Sequence, residues 1–209
     1  MRYTIFDTPL VSPILYGFSM LVLKILGWRK EGDLPNVPKY VIAFAYHTSN
    51  WDFPLGMVLA FAYRVNMHWI GKDSLFRWPF YSLFRWMGGI PVERSKAHGV
   101  VGEVVRVFNE NESLILGIAP EGTRSKVRAW KKGFYYIALN AKAPILLVFL
   151  DYRRKVAGIG PLITPSGDIE ADMEIIRDFF ANVTPRHPER ATFPFVETKP
   201  SKNTASTDP

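Results

Sequence analysis

Short apolar runs and longer amphipathic stretches alternate through the middle of the chain. Runs rich in β-branched and aromatic residues predict strands at 40–45, 67–70, 90–93, 114–119, 145–152 and 157–163. Apolar positions at helical spacing predict helices at 51–63, 74–87, 97–110 and 131–141. Strands that alternate with helices are typical of an α/β fold, so we predict a mainly parallel sheet flanked by helices.

A closing helix is predicted after the last strand. Ser166 is its predicted N-cap, and its buried face is predicted to hold Ile169, Met173, Ile176 and Phe180. Its acidic residues are predicted to face solvent: Asp168, Glu170, Asp172, Glu174 and Asp178. Residues 33–183 thus form one predicted α/β domain. Residues 184–209 are rich in Pro, Thr, Ser and Lys, which predicts a polar, disordered tail.

The first 32 residues contain an apolar stretch from Pro9 to Gly27. It lacks the basic start and the small-residue cleavage site of a signal peptide. Pro13 and Lys24 interrupt it, whereas a membrane span needs roughly 20 apolar residues. Aromatic and basic residues follow at 28–30. We therefore predict that residues 1–32 are a membrane-associating segment whose helix lies in the bilayer interface. The alternative is a helix that only packs on the domain.

Composition narrows the class of partner. The formal net charge of +7 over 209 residues indicates an anionic partner: a lipid surface, nucleic acid or a phosphorylated substrate. The 6 Trp, 9 Tyr and 15 Phe favour a membrane, because aromatic rings prefer the headgroup level of a bilayer. Nucleic-acid binding is disfavoured, since the basic residues are spread along the chain and the aromatic residues sit in apolar runs. The absence of cysteine excludes disulfides, thiolate metal sites and an acyl-cysteine intermediate.

Residues 76–86 form a second candidate membrane surface, because aromatic and basic side chains alternate there. The alternative is that part of the segment packs on the sheet. At helical spacing that core stripe would hold Leu75, Phe80, Leu83, Phe84 and Met87.

A histidine and a carboxylate flank the loop that follows the first predicted strand. His47 lies at the end of the strand, and Asp52 lies five residues later in the first turn of a helix. Ligands usually bind at the carboxyl edge of open α/β sheets, where both residues are expected. A carboxylate that accepts a hydrogen bond from one imidazole nitrogen leaves the other nitrogen able to take a proton. His47 is therefore a candidate general base, oriented by Asp52.

Two further loops end at the same predicted edge. Residues 120–125 contain Glu121, Gly122 and Arg124, where the glycine permits a tight turn and the arginine suits bidentate phosphate binding. Arg94 follows the strand at 90–93. We therefore expect His47, Arg94 and residues 121–124 to converge on one site.

Other mechanisms lack their residues. Thr123 and Arg124 stand where a P-loop needs Lys and Ser or Thr. The sequence contains neither a G-x-S-x-G elbow nor an H-E-x-x-H zinc pair, and His68, His98 and His187 have no ligand spacing. A covalent serine and a metal site are therefore not expected.

Four ordered blocks resemble those of the glycerolipid acyltransferase family, whose best-known members acylate lysophosphatidic acid. They are His47-x-Ser49-x-x-Asp52, Gly89-Ile-Pro-Val-Glu-Arg94, Pro120-Glu-Gly-Thr-Arg-Ser125 and Pro144-Ile-Leu-Leu-Val148. Segments 72–80 and 130–133 also resemble family segments, so the likeness covers residues 40–150.

This resemblance implies an O-acyltransferase that needs no bound cofactor. His47 would deprotonate the acceptor hydroxyl and Asp52 would orient His47. The implied acceptor- and phosphate-binding residues are Arg94, Glu121, Gly122, Thr123 and Arg124, with Ser49 and Lys72 in support. Backbone N–H groups near the helix start after His47 are the expected oxyanion donors.

The expected acyl donor is acyl-CoA or acyl carrier protein, and the expected acceptor is lysophosphatidic acid, giving phosphatidic acid. The expected location is the cytoplasmic face of a membrane, peripheral or monotopic. Two positions depart from the family pattern, Tyr46 before the histidine and Leu147 in the fourth block. Two alternatives stay open: an acyltransferase for another lipid acceptor, such as an amino-acid lipid, a glycolipid or another lysophospholipid, and a non-catalytic lipid-binding protein.

Overall fold

A computed structural model of the chain describes residues 3–93 and 97–194, without the side chains of residues 97 and 98. The helices are α1 (Val11–Leu26), α2 (Asp52–Ala62), α3 (Tyr81–Trp86), α4 (Ala97–Glu110), α5 (Gly133–Asn140) and α6 (Ile169–Phe180). The strands are β1 (Arg29–Glu31), β2 (Lys39–Ala45), β3 (Met67–Lys72), β4 (Gly89–Val92), β5 (Leu114–Ile118), β6 (Ile145–Asp151) and β7 (Val156–Ile163). Short 3₁₀ helices form at Asp73–Leu75 and Pro188–Arg190.

The strands form one seven-stranded sheet in the order β1-β7-β6-β2-β5-β3-β4. The strands β6, β2, β5, β3 and β4 all pair in parallel. In the strand order, β2 lies at the centre of the sheet, between β5 and β6. Strand β7 pairs antiparallel with β6 because only residues 152–155 connect the two strands. The predicted α/β class with a mainly parallel sheet is confirmed.

Alternate residues of β2 face two different layers of the molecule. Val41 and Ala43 pack in the main core with buried residues of α4, α5 and α6. Tyr40 and Ile42 face the other side of the sheet, where α1 and α2 pack together. These two layers bury β2 on both faces. The loop that follows β2 therefore begins at the carboxyl edge of the sheet, between the two layers.

The N-terminal helix α1 packs on the domain along one side. Ser19 and Leu23 are buried, and Leu23 packs with Leu55 and Leu59 of α2. An apolar stripe on its opposite side is between 53% and 78% exposed: Leu10, Ile14, Phe18, Leu21 and Ile25. No helix in the described ranges combines the length and apolar character that a membrane span requires. The segment is also not separate from the domain, because β1 at its end joins the sheet beside β7.

The helix predicted at 74–87 is wrong in its first half. Only Tyr81–Trp86 is α-helical, because Pro79 disfavours helical geometry at the residue before it and has no N–H to donate. Phe76 is buried between Trp69 and Phe84, whereas the predicted core positions Leu75, Phe80 and Leu83 are exposed. Trp78 is exposed as well, so the segment presents an apolar surface beside the domain.

Two expectations for α6 are wrong. Asp168 is the N-cap, since its side chain accepts hydrogen bonds from the N–H groups of Glu170 and Ala171. Ser166 lies outside the helix and instead donates its backbone N–H to Asp172. Asp172 was expected in solvent but is buried, and its carboxylate also accepts the Tyr135 hydroxyl at 2.7 Å. The Asp172 carboxylate is buried because it accepts hydrogen bonds from Tyr135 and from the Ser166 N–H. No local sequence pattern predicts these partners.

The predicted disordered tail does not begin at residue 184. Residues 184–194 lie on the domain: Thr184 accepts the N–H of Tyr152, and Thr192 bonds both Val127 and the Trp130 indole. Residues 195–209 lie outside the described ranges.

Candidate active site

The carboxyl edge of the sheet brings the candidate residues together. His47 follows β2, Lys72 ends β3, and Glu121 follows β5, while Tyr152 follows β6 on the other side of β2. Because these strands run parallel, their ends open toward the same side of the molecule. Arg94 lies outside the described residues, so its predicted place in the site stays a prediction.

The carboxylate of Asp52 is the most enclosed group in this region, with 0% of the residue exposed. Its Oδ2 accepts the N–H groups of Thr48 at 2.8 Å and Ser49 at 2.7 Å. Its Oδ1 accepts the Tyr152 hydroxyl at 2.5 Å. Burial opposes the charged form of Asp52, but His47, Tyr152 and the Ser49 N–H stabilise the anion and lower its pKa.

The His47 ring lies between Asp52 and an open cavity. Its Nδ1 is 3.5 Å from Oδ2 of Asp52, longer than an ordinary hydrogen bond, and only 18% of its side chain is exposed. Nδ1 is buried and has no hydrogen-bond partner within the described residues. With Nδ1 turned to the carboxylate, Nε2 is the nitrogen left for a ligand, and His47 lines the cavity. This is the arrangement expected of a general base with an orienting carboxylate.

Glu121 lies beneath the loop that carries His47. The residue is 2% exposed, and Oε2 accepts the backbone N–H of His47 at 2.9 Å. Burial, with a contribution from the nearby Asp52 charge, raises the pKa of Glu121 to about 7 despite that hydrogen bond. Glu121 was expected in the acceptor-binding set, but it does not line the cavity. Its observed contact supports the backbone of the histidine instead.

Several basic side chains line the cavity. Arg124 and Lys72 both line it, as predicted for the site, together with Gly122 and Thr123. Gly122 has φ of 65°, and a Cβ there would meet Nζ of Lys131 at 2.9 Å, so the glycine lets the turn form and the lysine approach. Lys131 and Lys132 also line the cavity. These cations suit a phosphate-bearing ligand.

The cavity has a volume of about 910 Å³ and extends from the His47 ring between α2 and the sheet. Most of its lining side chains are apolar, including Ile42, Leu59, Leu146 and Ile159. A largely apolar cavity whose lining also includes cationic side chains fits a ligand with an anionic head and a hydrocarbon chain.

Four of the backbone N–H groups expected as oxyanion donors are engaged elsewhere. The N–H of His47 binds Glu121, and those of Thr48 and Ser49 bind Asp52. The Trp51 N–H binds the Ser49 hydroxyl, which is the contact the structure gives to that side chain. These groups shape the loop and are not directed at a ligand. In the described ranges, no group of three or more His, Asp or Glu side chains is arranged to hold a metal ion.

Sequence reasoning missed two residues of this site. Tyr152 directly follows β6, the strand next to β2, so the rule that located His47 also applies to it. Lys131 stands in a segment already noted for its resemblance, but its approach to Gly122 depends on the turn at 120–122.

The structure combines an α/β fold with a His–Asp pair in an apolar cavity, and comparison with known proteins identifies the family. The family model named Acyltransferase matches residues 30–150, more than half of the chain. The chain therefore belongs to the acyltransferase family.

Two known proteins illustrate the likeness. The chain is 32% identical over 114 residues to the 1-acyl-sn-glycerol-3-phosphate acyltransferase of Escherichia coli K12, a match that covers 51% of this chain and 45% of that protein. It thus spans less than half the length of that relative. The crystal structure of the 1-acyl-sn-glycerophosphate (LPA) acyltransferase PlsC from Thermotoga maritima shares the fold, with a TM-score of 0.58 at 20% identity over 81% of this chain and 76% of that chain.

The raised pKa of Glu121 predicts a pH-dependent stability. The folded protein keeps this proton up to about pH 7, whereas an unfolded chain releases it near 4.5. The contribution of the protonated Glu121 side chain to the free energy of unfolding is therefore fully present below pH 4.5 and is lost as the pH rises through about 7. We expect Glu121→Gln to reduce the fall in unfolding free energy between pH 5 and pH 8 by on the order of 3 kcal/mol, measured by urea unfolding. The exposed control Glu103→Gln should keep the wild-type pH dependence. An unchanged dependence in Glu121→Gln would contradict the assignment.

Proposed function

We propose that this acyltransferase moves a fatty acyl group from acyl-CoA or acyl carrier protein to the free hydroxyl of lysophosphatidic acid, giving phosphatidic acid. The observation that carries the proposal is the His47–Asp52 pair in an apolar cavity whose lining also includes Arg124 and Lys131. The names of the Escherichia coli and Thermotoga maritima proteins support this acceptor.

The proposed chemistry needs one proton carrier and no covalent enzyme intermediate. Nε2 of His47 takes the proton of the acceptor hydroxyl as its oxygen attacks the thioester carbonyl carbon. The new C–O bond gives a tetrahedral intermediate, and the C–S bond breaks as that intermediate collapses. The leaving thiolate then takes the proton from the His47 imidazolium. The buried anion of Asp52 stabilises the imidazolium while it exists.

The proposed acceptor matches the charges and the shape of the cavity. Arg124 and Lys131 would bind the phosphate, and Lys72 lines the same cavity. The acyl chain of a substrate would lie in the apolar interior, where each buried CH₂ group contributes about 0.8 kcal/mol. Arg94 remains a proposed phosphate ligand on the strength of the sequence resemblance.

We also propose that the enzyme works on a membrane surface. The exposed stripe of α1 and the exposed apolar side chains Trp78, Phe80 and Leu83 offer apolar area to a bilayer, and the net charge of +7 favours anionic lipids. A cytoplasmic face would supply such lipids.

A transfer assay tests the proposed reaction and acceptor. Purified protein in vesicles is offered labelled acyl-CoA with lysophosphatidic acid, glycerol 3-phosphate or a phosphate-free monoacylglycerol. We expect transfer to lysophosphatidic acid, and we expect His47→Ala to reduce kcat by about 10²- to 10⁴-fold through loss of the general base. Transfer only to the phosphate-free acceptor would contradict the proposed substrate, and unchanged kcat in His47→Ala would contradict the mechanism.

A second pair of variants in the same assay isolates the phosphate contact. Arg124→Gln should raise KM for lysophosphatidic acid by about tenfold or more, because a hydrogen bond to a charged group is lost. Arg106→Gln removes the same charge from an exposed position on α4 and should leave KM unchanged. Equal KM values in the two variants would exclude Arg124 as a phosphate ligand.

Membrane association is tested by sedimentation with vesicles that contain anionic phospholipid. Phe18→Glu places a charge in the exposed stripe of α1 and should weaken vesicle binding by about tenfold or more. Ile175→Glu is a matched control on α6, because Phe18 is 57% exposed and Ile175 is 53% exposed. The proposed surface is wrong if both variants bind vesicles as the wild type does.

A further inference from the structure

Tyr152 lies outside the matched family region, yet it contacts the buried carboxylate of the site. It directly follows β6, and its hydroxyl donates to Oδ1 of Asp52 at 2.5 Å. Its ring packs edge-on against Trp28 at 5.1 Å, and the guanidinium of Arg186 lies 5.8 Å from the ring centre. The ring is therefore fixed by contacts from two distant parts of the chain.

We propose that Tyr152 is a positioning residue that acts through Asp52 to hold His47 in its base geometry. The inference rests on the proposed function, since it gives Tyr152 a role in the same acyl transfer. Tyr152 does not line the cavity, so it is not expected to contact the substrate.

The division of contacts between the two Asp52 oxygens supports this role. The loop N–H groups of Thr48 and Ser49 hold Oδ2, which is also the oxygen nearest Nδ1 of His47. Tyr152 holds Oδ1 and thereby fixes the rotation of the carboxylate about its own axis. Without the hydroxyl, a fully buried oxygen loses its hydrogen bond, and the carboxylate can turn or attract a proton.

The segment Thr184–His187 holds Tyr152 against the catalytic loop. The Tyr152 N–H donates to the carbonyl of Thr184 at 2.9 Å, and the His187 N–H donates to the hydroxyl of Thr48 at 3.2 Å. Arg186, between these contacts, lies over the rings of both Trp51 and Tyr152. The segment thus connects the end of β6 to the loop between His47 and Asp52.

The phenol is suited to act as a permanent donor. Burial and the hydrogen bond to Asp52 raise the pKa of Tyr152 well above its usual value, so the hydroxyl keeps its proton at physiological pH. The Asp52 anion therefore has a neutral donor on the side away from the histidine.

Tyr152→Phe tests the inference, with Tyr135→Phe as a matched control. Both variants remove a hydroxyl that donates to a buried carboxylate, but Tyr135 serves Asp172, and Tyr135 does not line the cavity. We expect similar losses in thermal stability. Only Tyr152→Phe should lower kcat, by about 10- to 100-fold, with KM for the acceptor within about twofold of wild type. In an Asp52→Asn background, Tyr152→Phe should give no further loss of kcat.

Two results would overturn the inference. One is a kcat for Tyr152→Phe equal to that of Tyr135→Phe. The other is a full additional loss of kcat in the Asp52→Asn background, since Tyr152 would then act independently of Asp52.

Modification of His47 by diethyl pyrocarbonate, followed by peptide mass spectrometry, provides a readout that does not require acyl transfer. Tyr152→Phe should slow this modification, and Tyr135→Phe should not. If the wild type transfers no acyl group, the proposed function fails, and the modification rates still decide the role of Tyr152. Equal rates in all three proteins would overturn it.

Discussion

The fully buried carboxylate of Asp52 is the constraint around which the site is organised. A buried anion is tolerated only where hydrogen bonds replace water, and here they come from the loop after β2 and from the end of β6. The same bonds shape residues 47–51, start α2 and join two neighbouring strands at their carboxyl ends. The position of His47 is therefore a consequence of how the chain supplies hydrogen bonds to the buried carboxylate of Asp52.

Two buried carboxylates near the histidine have pKa values shifted in opposite directions. Asp52 collects hydrogen bonds on both oxygens, so its pKa is lowered in spite of burial. Glu121 has one oxygen bonded to the His47 N–H and one, Oε1, buried with no partner among the described residues, and its pKa rises to about 7. The Asp52 charge itself disfavours a second anion nearby. Glu121 can thus support the loop without competing with Asp52 for His47.

Much of the sheet was predictable because its strands are short and buried on both faces. The strands predicted at 40–45, 114–119 and 145–152 each match the observed strand to within one residue at either end. The carboxyl-edge rule predicts that His47, Asp52 and Arg124 lie near one another, and all three line the same cavity. In a parallel sheet, the loops that follow the strands lie at the same edge, so the order of strands and helices along the chain predicts where the site lies.

Several of the misses depend on a partner distant in sequence, whereas the helix predicted at 74–87 failed for the local reason of Pro79. Asp172 looks like a solvent residue until Tyr135 and the Ser166 N–H are brought to it. Tyr152 and the segment at 184–187 contact the loop after β2 only because β6 lies beside β2 in the sheet. Periodicity reports which face is buried but not which buried polar groups find each other.

The most direct test of the account is the protonation of the two ring nitrogens of His47, measured by nitrogen-15 NMR on the purified protein. The account predicts that the neutral imidazole carries its proton on Nδ1, facing Asp52, and leaves Nε2 free to accept a proton from a hydroxyl. A neutral ring with its proton on Nε2 would contradict it, because His47 could not then act as the base that Asp52 orients.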